Sequence, residues 1–197
     1  MNIFVLDSDP IIAAQMTCDK HCSKMIVESG QMLSTAHRIL DGTLERRPSK
    51  SGKTMVKYWT LDHDEDLIYK AVHMGHPCTV WSMMSSQNYD WHYQHFKGLA
   101  DEFRYRRGYD HQTWLKLKDV LKSPPKNIEH GGLTPFAIAM KQFPECIVED
   151  DPVQSYRNYY VMAKPFAKWE WRRPTPDWFI NMRQHMLLQE QEGAMND

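Results

Sequence analysis

Residues 9–42 read DPIIAAQMTCDKHCSKMIVESGQMLSTAHRILDG, and this stretch decides the fold. Asp9-Pro10 is a helix start: the carboxylate can accept the first free N–H groups, and proline at the first helical position loses no hydrogen bond. From Ile11 to about Leu40 the apolar residues recur at helical spacing, and Gly42 supplies a C-terminal stop. A helix of that length is long for a globular protein, so a break is expected near Thr17–Lys20.

Working outward, Asn2–Leu6 reads as a short extended segment. Thr43–Ser51 is polar and holds Pro48, which predicts a loop. Lys53–Leu61 alternates through Met55, Lys57 and Trp59, as one arm of a small hairpin would. Residues 43–61 thus form an insert. Asp62–Met74, with acidic residues in its first turn and Gly75 after it, predicts a second helix. Pro77 opens a short third helix through Val80, Trp81 and Met84. Asn88 is the expected cap of a fourth that runs to Arg107 and closes at Gly108. Trp114–Leu121 makes a fifth, ended by Pro124-Pro125. Lys126–Asp150 is irregular apart from a helical turn at Pro135–Lys141. Asp151-Pro152 starts a helix that ends before Pro165, and Pro176-Asp177 starts the last, fading after Leu188 into a flexible tail, 189–197. The expected fold is all-α: a single compact helical domain over residues 1–197, with a long N-terminal helix and room for one small β-hairpin. Its expected core includes Ile26, Leu33, Val80, Trp81, Phe96, Leu99 and Phe103.

The 197 residues suffice to bury such a core without covalent staples. Lys plus Arg (24) nearly balances Asp plus Glu (25), so affinity for nucleic acid or membrane must come from local patches. Cys18, Cys22, Cys78 and Cys146 fit no disulfide ladder, and Met1–Leu6 is too short for a secretory signal, so reduced thiols in a cytoplasmic protein are expected. No apolar run approaches a membrane span.

The first helix carries the sharpest chemical signal. His21, Lys24 and Glu28 share a face, with Gln31 continuing the row, while Cys22, Ile26, Leu33 and Ala36 supply apolar contacts elsewhere. An imidazole, an ammonium and a carboxylate aligned in a cleft could bind a phosphate and act as general base, which makes His21 and Glu28 the catalytic candidates. A solvated face with an ordinary Lys24–Glu28 pair is the alternative. His76 sits just ahead of a helix N-terminus, where free N–H groups favour an anion, or else merely fills the turn between Gly75 and Pro77. Cys18, His21, Cys22, His73, His76 and Cys78 place soft ligands in two segments, but without the usual zinc spacing; no metal and no cofactor is expected.

Tyr156–Arg173 contains Tyr156, Arg157, Tyr159, Tyr160, Lys164, Lys168, Trp169, Trp171, Arg172 and Arg173, opposed only by Glu170. Aromatic faces stack on unpaired bases while cations hold phosphates, so this composition suits a nucleic-acid surface. Arg104, Arg106 and Arg107 beside Tyr105 and Tyr109 make a second such patch. The alternative is that the aromatics are core and the cations cap helix ends.

The order Gly75-His76-x-x-x-x-Trp81, then Lys97-x-Leu99, Glu102 and Arg106-Arg107-Gly108, resembles the middle of the phage pyrimidine-dimer DNA glycosylases of the endonuclease V type. The resemblance covers roughly half the chain. It implies an all-α fold, DNA as partner, and removal of a damaged base through an imine between the N-terminal amine and the sugar, assisted by a helix glutamate flanked by arginines. This chain departs from that pattern. Asn2 follows Met1, a context in which methionine is normally kept, and the helix offers His21 and Glu28 with Lys20 and Lys24, leaving open which of them matches the family's glutamate. The expected function is therefore a DNA-acting enzyme that excises or modifies a base at the helix row. Lys20, Lys24, His76, Arg106, Arg107, Tyr156, Arg157, Tyr160 and Lys164 are its expected phosphate or DNA contacts. Two alternatives stand beside it: a non-catalytic nucleic-acid or protein module using Tyr156–Arg173, and a protein for a nucleotide or small phosphorylated ligand.

Overall fold

The computed structural model describes the backbone of residues 1–195 and all of their side chains except 190 and 193–195. Asp9 caps the first helix, α1 (Pro10–Gln15), accepting from Ile11 N–H at 2.8 Å and Ile12 N–H at 2.9 Å. The expected break falls at Met16–Cys18, because Asp19 N–H leaves the helical ladder to donate to the Lys168 carbonyl at 2.9 Å. The chain then resumes as α2 (Asp19–Asp41). β1 (Thr43–Pro48) and β2 (Met55–Thr60) form one antiparallel hairpin, with Thr43 opposite Thr60 and Arg46 opposite Lys57. The expected loop at Thr43–Ser51 is thus largely a strand, so both arms of the hairpin lie in the insert.

Five more helices follow among the described residues: α3 (Pro77–Met84), α4 (Ser86–Arg107), α5 (Gln112–Leu117), α6 (Pro152–Ala163) and α7 (Asp177–Met195). The fold is mostly helical, as the periodicity implied. Ser85, not Asn88, caps α4 and accepts Asn88 N–H at 3.2 Å. Asn88 is buried instead, and its amide clips Trp81 O and Thr134 to the helix. Gly108 closes α4 at φ 84°, a left-handed conformation that suits glycine. The fifth helix begins two residues early and ends four early, at Leu117. No helical turn forms at Pro135–Lys141; Pro144–Cys146 carries a short 3₁₀ turn instead. The last helix continues past Leu188 to Met195. No described helix is long and apolar enough to cross a membrane.

α1 and α2 pack on α4, with α3 and α5 completing the layer. Gly98 of α4 lets α1 approach: a Cβ there would lie 2.9 Å from Ala14 Cβ. Ile26, Leu33, Trp81, Phe96, Leu99 and Phe103 are core, but Val80 is 42 % exposed because Cys78, Trp81 and Ser82 occupy the inner face of α3. The N-terminal segment also belongs to the core, with Ile3, Phe4, Val5 and Leu6 all buried.

Asp62–Met74 is the largest departure from the sequence reading, since no helix forms there. Its carbonyls turn inward to Arg38, which is 1 % exposed. Arg38 Nε donates to Tyr69 O (2.6 Å), Nη1 to Trp59 O (2.7 Å) and Glu65 Oε2 (2.8 Å), and Nη2 to Glu65 O and Ile68 O (both 2.9 Å). All five guanidinium donors are used, and the segment wraps the cation rather than coiling on itself. A second buried network joins Asp19, Arg106, Glu102 and Arg173. Arg106 bridges Asp19 (2.8 Å) and Glu102 (2.7 Å), and Arg173 forks onto Glu102.

Two predictions follow from this packing. Arg38→Ala strands Glu65 and four carbonyl acceptors, and breaking a buried pair costs about 3–5 kcal/mol. Urea unfolding should show that loss with the hairpin-side segment released first; a change under about 1 kcal/mol would contradict the wrapping role. The second concerns pH. Burial holds both His21 and His95 at about 3, against an ordinary 6.5. Between those values the unfolded chain binds more protons, so stability is full above pH 6.5 and falls steadily as acid takes the pH toward 3. His95 stacks on Trp91 and makes no hydrogen bond to the protein. His95→Phe keeps the stack and should flatten the pH dependence of unfolding free energy by about 1.4 kcal/mol per pH unit below pH 6.

Candidate functional site

The polar row on α2 does face a cleft. A hollow of about 260 Å³ is lined by Met1, Asn2 and Phe4 from the N-terminal segment, by Lys20, His21, Lys24, Met25 and Glu28 from α2, and by Ala139, Tyr159, Lys164 and Phe166. Four of the expected α2 residues and Lys164 therefore converge on one place.

Glu28 is the hub. Its Oε2 accepts Asn2 N–H at 2.9 Å and lies 3.6 Å from the Met1 α-amine; its Oε1 pairs with Lys24 Nζ at 3.2 Å. The carboxylate is nearly buried whereas Lys24 is mostly exposed, so the pair spans the cleft from floor to rim. Lys20 Nζ sits 4.3 Å over the Phe166 ring and Lys164 Nζ 3.9 Å over Tyr159, which fixes two further ammonium groups against aromatic faces. His76 flanks this arrangement. Its Nδ1 caps α3 by accepting Cys78 N–H at 3.2 Å, and burial, then the nearby Met1 amine and His73, hold its pKa below the usual imidazole range, with Glu28 opposing.

His21 has a different part from the catalytic one expected. It is 2 % exposed, stacks on Phe4 at 4.3 Å between centroids, and lies 2.6 Å from the Tyr160 hydroxyl. Burial first, then Lys164, Lys24 and Lys20, lower its pKa to about 3. It is neutral near pH 7 and too weakly basic to take a proton there, so it forms the wall of the cleft while Glu28 supplies the carboxylate.

The expected aromatic-basic surface is corrected in several places. Tyr156 and Tyr160 are fully buried, and burial pushes both phenols well above their usual range. Tyr156 holds Asn2 Oδ1 (3.0 Å) and the Ala137 carbonyl (2.9 Å), so it anchors the N-terminal segment rather than stacking on a base. Arg157 does likewise, donating to Leu6 O at 2.9 Å and pairing with Asp7. Arg106 is buried and turned to Asp19, Glu102 and Gln15 O inside the protein, out of reach of a phosphate. Arg107 is exposed, but it lies over Trp171 at the edge of a separate hollow with Tyr109 and His111.

Sequence reasoning missed Met1, Asn2, Phe4 and Phe166 as lining residues, and placed Tyr159 on a separate aromatic-basic surface rather than in this cleft. The signal for the first three was the apolar run Ile3–Leu6 ahead of a helix cap, which marks a buried segment. All four cysteines are free and buried, and Cys78 faces Asn2 and Tyr156. Among the described residues no group of three or more His, Cys, Asp or Glu is placed to hold a metal ion. Chemically, the cleft offers one carboxylate, two amines beside it, two more lysines and two aromatic faces, which is a setting for an anionic, base-bearing ligand.

This geometry separates site from scaffold in melting experiments. Lys24→Ala should shift the midpoint by less than about 2 °C, because an exposed i,i+4 pair contributes roughly 0.2–0.5 kcal/mol. Glu28→Leu strands the Asn2 N–H and the amine and should cost about 1–3 kcal/mol; equal effects from the two would contradict the floor-and-rim arrangement.

Compared with protein-family models, curated proteins and solved structures, the chain matches none of them.

Proposed function

We propose that the protein is a DNA-acting enzyme of the glycosylase/lyase type, with Glu28 as its catalytic carboxylate and an amine beside it as nucleophile. The observation that carries this reading is the amine–carboxylate juxtaposition: the Met1 α-amine at 3.6 Å and Lys24 Nζ at 3.2 Å from one nearly buried carboxylate. Imine chemistry needs a nucleophilic amine and a group that moves its protons, and this pair supplies both. An unprotonated amine attacks the sugar C1′, the bond to the base breaks with its electrons leaving on the base, and the ring opens to the imine as its oxygen gains a proton. A carboxylate at hydrogen-bond distance can shuttle these protons. Lys20 and Lys164 would hold flanking phosphates, and Phe166 and Tyr159 would stack on a base turned out of the helix. The likeness of the Gly75–Gly108 order to the pyrimidine-dimer glycosylases leans the same way, with lysines here in place of the family's arginines.

A second reading rests on the modest volume of the cleft, about 260 Å³, which suits a free nucleotide or small phosphorylated ligand as well as a flipped one. Borohydride trapping on duplexes that carry a pyrimidine dimer or an abasic site tests both. The reading predicts a covalent adduct whose tryptic mapping places the modified amine at Met1 or Lys24, and a rate about 10²–10⁴-fold lower for Glu28→Gln. No adduct, together with nucleotide binding lost in Lys24→Ala and Lys164→Ala, would replace the enzyme reading with the small-ligand one.

A further inference from the structure

The hairpin insert has no place in the cleft chemistry, yet it carries a concentrated charge. Thr43–Thr60 contains Arg46, Arg47, Lys50, Lys53 and Lys57 against the single carboxylate Glu45, a net +4 in a chain whose total is −1. It stands off the helical body: from Thr43 to Lys57 all residues but Arg47 and Ser49 are exposed, including Leu44 at 52 % and Met55 at 55 %. Its base is fixed, because Arg38 grips Trp59 O and Arg47 donates to Thr60 Oγ1 at 2.9 Å. Between the hairpin and the wrapped segment lies a groove of about 550 Å³, lined by Arg47, Lys50, Lys57, Tyr58, Lys70 and Val72. Arg47 is paired with Glu45, and Glu65 is taken by Arg38, Tyr58 and Leu61 N–H. Lys50, Lys57 and Lys70 have no acidic partner within ion-pair distance among the described residues.

The groove and the cleft lie along one side of α2. Glu28, Thr35 and Arg38 are spaced seven and three apart, hence on one stripe, about 15 Å end to end. The segment after the groove follows that stripe: Tyr69 O meets Arg38, Val72 meets Thr35 through both N–H and C=O, and His76 neighbours Glu28. A nucleic-acid strand advances about 3.4 Å per phosphate, so a strand with its reacting nucleotide at Glu28 reaches Arg38, which lines the groove together with the three lysines, four to five phosphates away.

The geometry points to the hairpin groove as a docking arm for the DNA phosphate backbone that flanks the reacting nucleotide, with Lys50, Lys57 and Lys70 as its phosphate contacts. A two-stranded ribbon also has dimensions that a DNA groove admits. This assignment rests on the DNA reading of the cleft, but it is tested by binding rather than by chemistry. The test uses the full chain and a labelled duplex of roughly 30 base pairs with one abasic site, long enough to span both places, titrated between about 50 and 200 mM salt.

The triple variant Lys50→Ala/Lys57→Ala/Lys70→Ala should melt like wild type, bind at least about tenfold more weakly at low salt, and lose about 2.7 from the slope of log affinity against log salt, at ~0.9 per phosphate. Salt-dependent binding that needs the three lysines, with no borohydride adduct, keeps the arm and removes the glycosylase reading. An adduct with wild-type binding by the triple variant keeps that reading and overturns the arm. Binding to anionic phosphatidylserine vesicles or polyglutamate that needs the lysines, with none to the duplex, also overturns it.

Discussion

Every polar group of a buried backbone needs a partner, and in this protein the buried N-terminal stretch and the inward-facing carbonyls of a second segment make that demand. Residues 1–6 run through the core with no helix or sheet to pair them. Glu28 takes the Asn2 N–H, Arg157 takes the Leu6 carbonyl, and Tyr156 together with Ala139 O holds the Asn2 side chain. Residues 59–69 make the same demand of Arg38. An unpaired buried peptide group costs about as much as a lost hydrogen bond, so these side chains are committed to the scaffold.

That commitment creates the site. Holding residues 1–6 against α2 brings an amine, a backbone N–H and the Glu28 carboxylate together at one end of the cleft, and Phe4 covers His21. At the rim Lys20 is exposed and Lys164 half-buried; among the described residues no carboxylate pairs with either, and aromatic faces hold them. The asymmetry between a dry carboxylate floor and a wet cationic rim follows from helix geometry: Glu28 points toward the N-terminal segment while Lys24, one turn back, reaches solvent.

The arginines illustrate the opposite outcome. Arg38 and Arg106 are the most deeply buried cations, and each is surrounded by carboxylates and carbonyls that use its planar fork. Arg106 ties the start of α2 to α4 and, through Glu102, to Arg173, so the aromatic-basic stretch near the C-terminus closes the core. The hairpin and the cleft rim, by contrast, carry cations that face solvent.

The sequence by itself determined the helices whose signals are local. Asp9-Pro10, Pro77, Gly108 and Asp151-Pro152 act on their own turn of backbone, and the α2 polar row could be read from spacing because helical geometry places Lys24 and Glu28 on one face. Tertiary structure alone decided the rest. Asp62–Met74 has the composition of a helix, but a cation from α2 competes for its carbonyls and prevails. Tyr156, Tyr160 and Arg106 have the composition of a nucleic-acid surface, yet the partners that bury them lie 154, 139 and 87 residues away in sequence. A side chain's charge and shape are local properties; whether water or the protein meets them depends on contacts that no local pattern encodes.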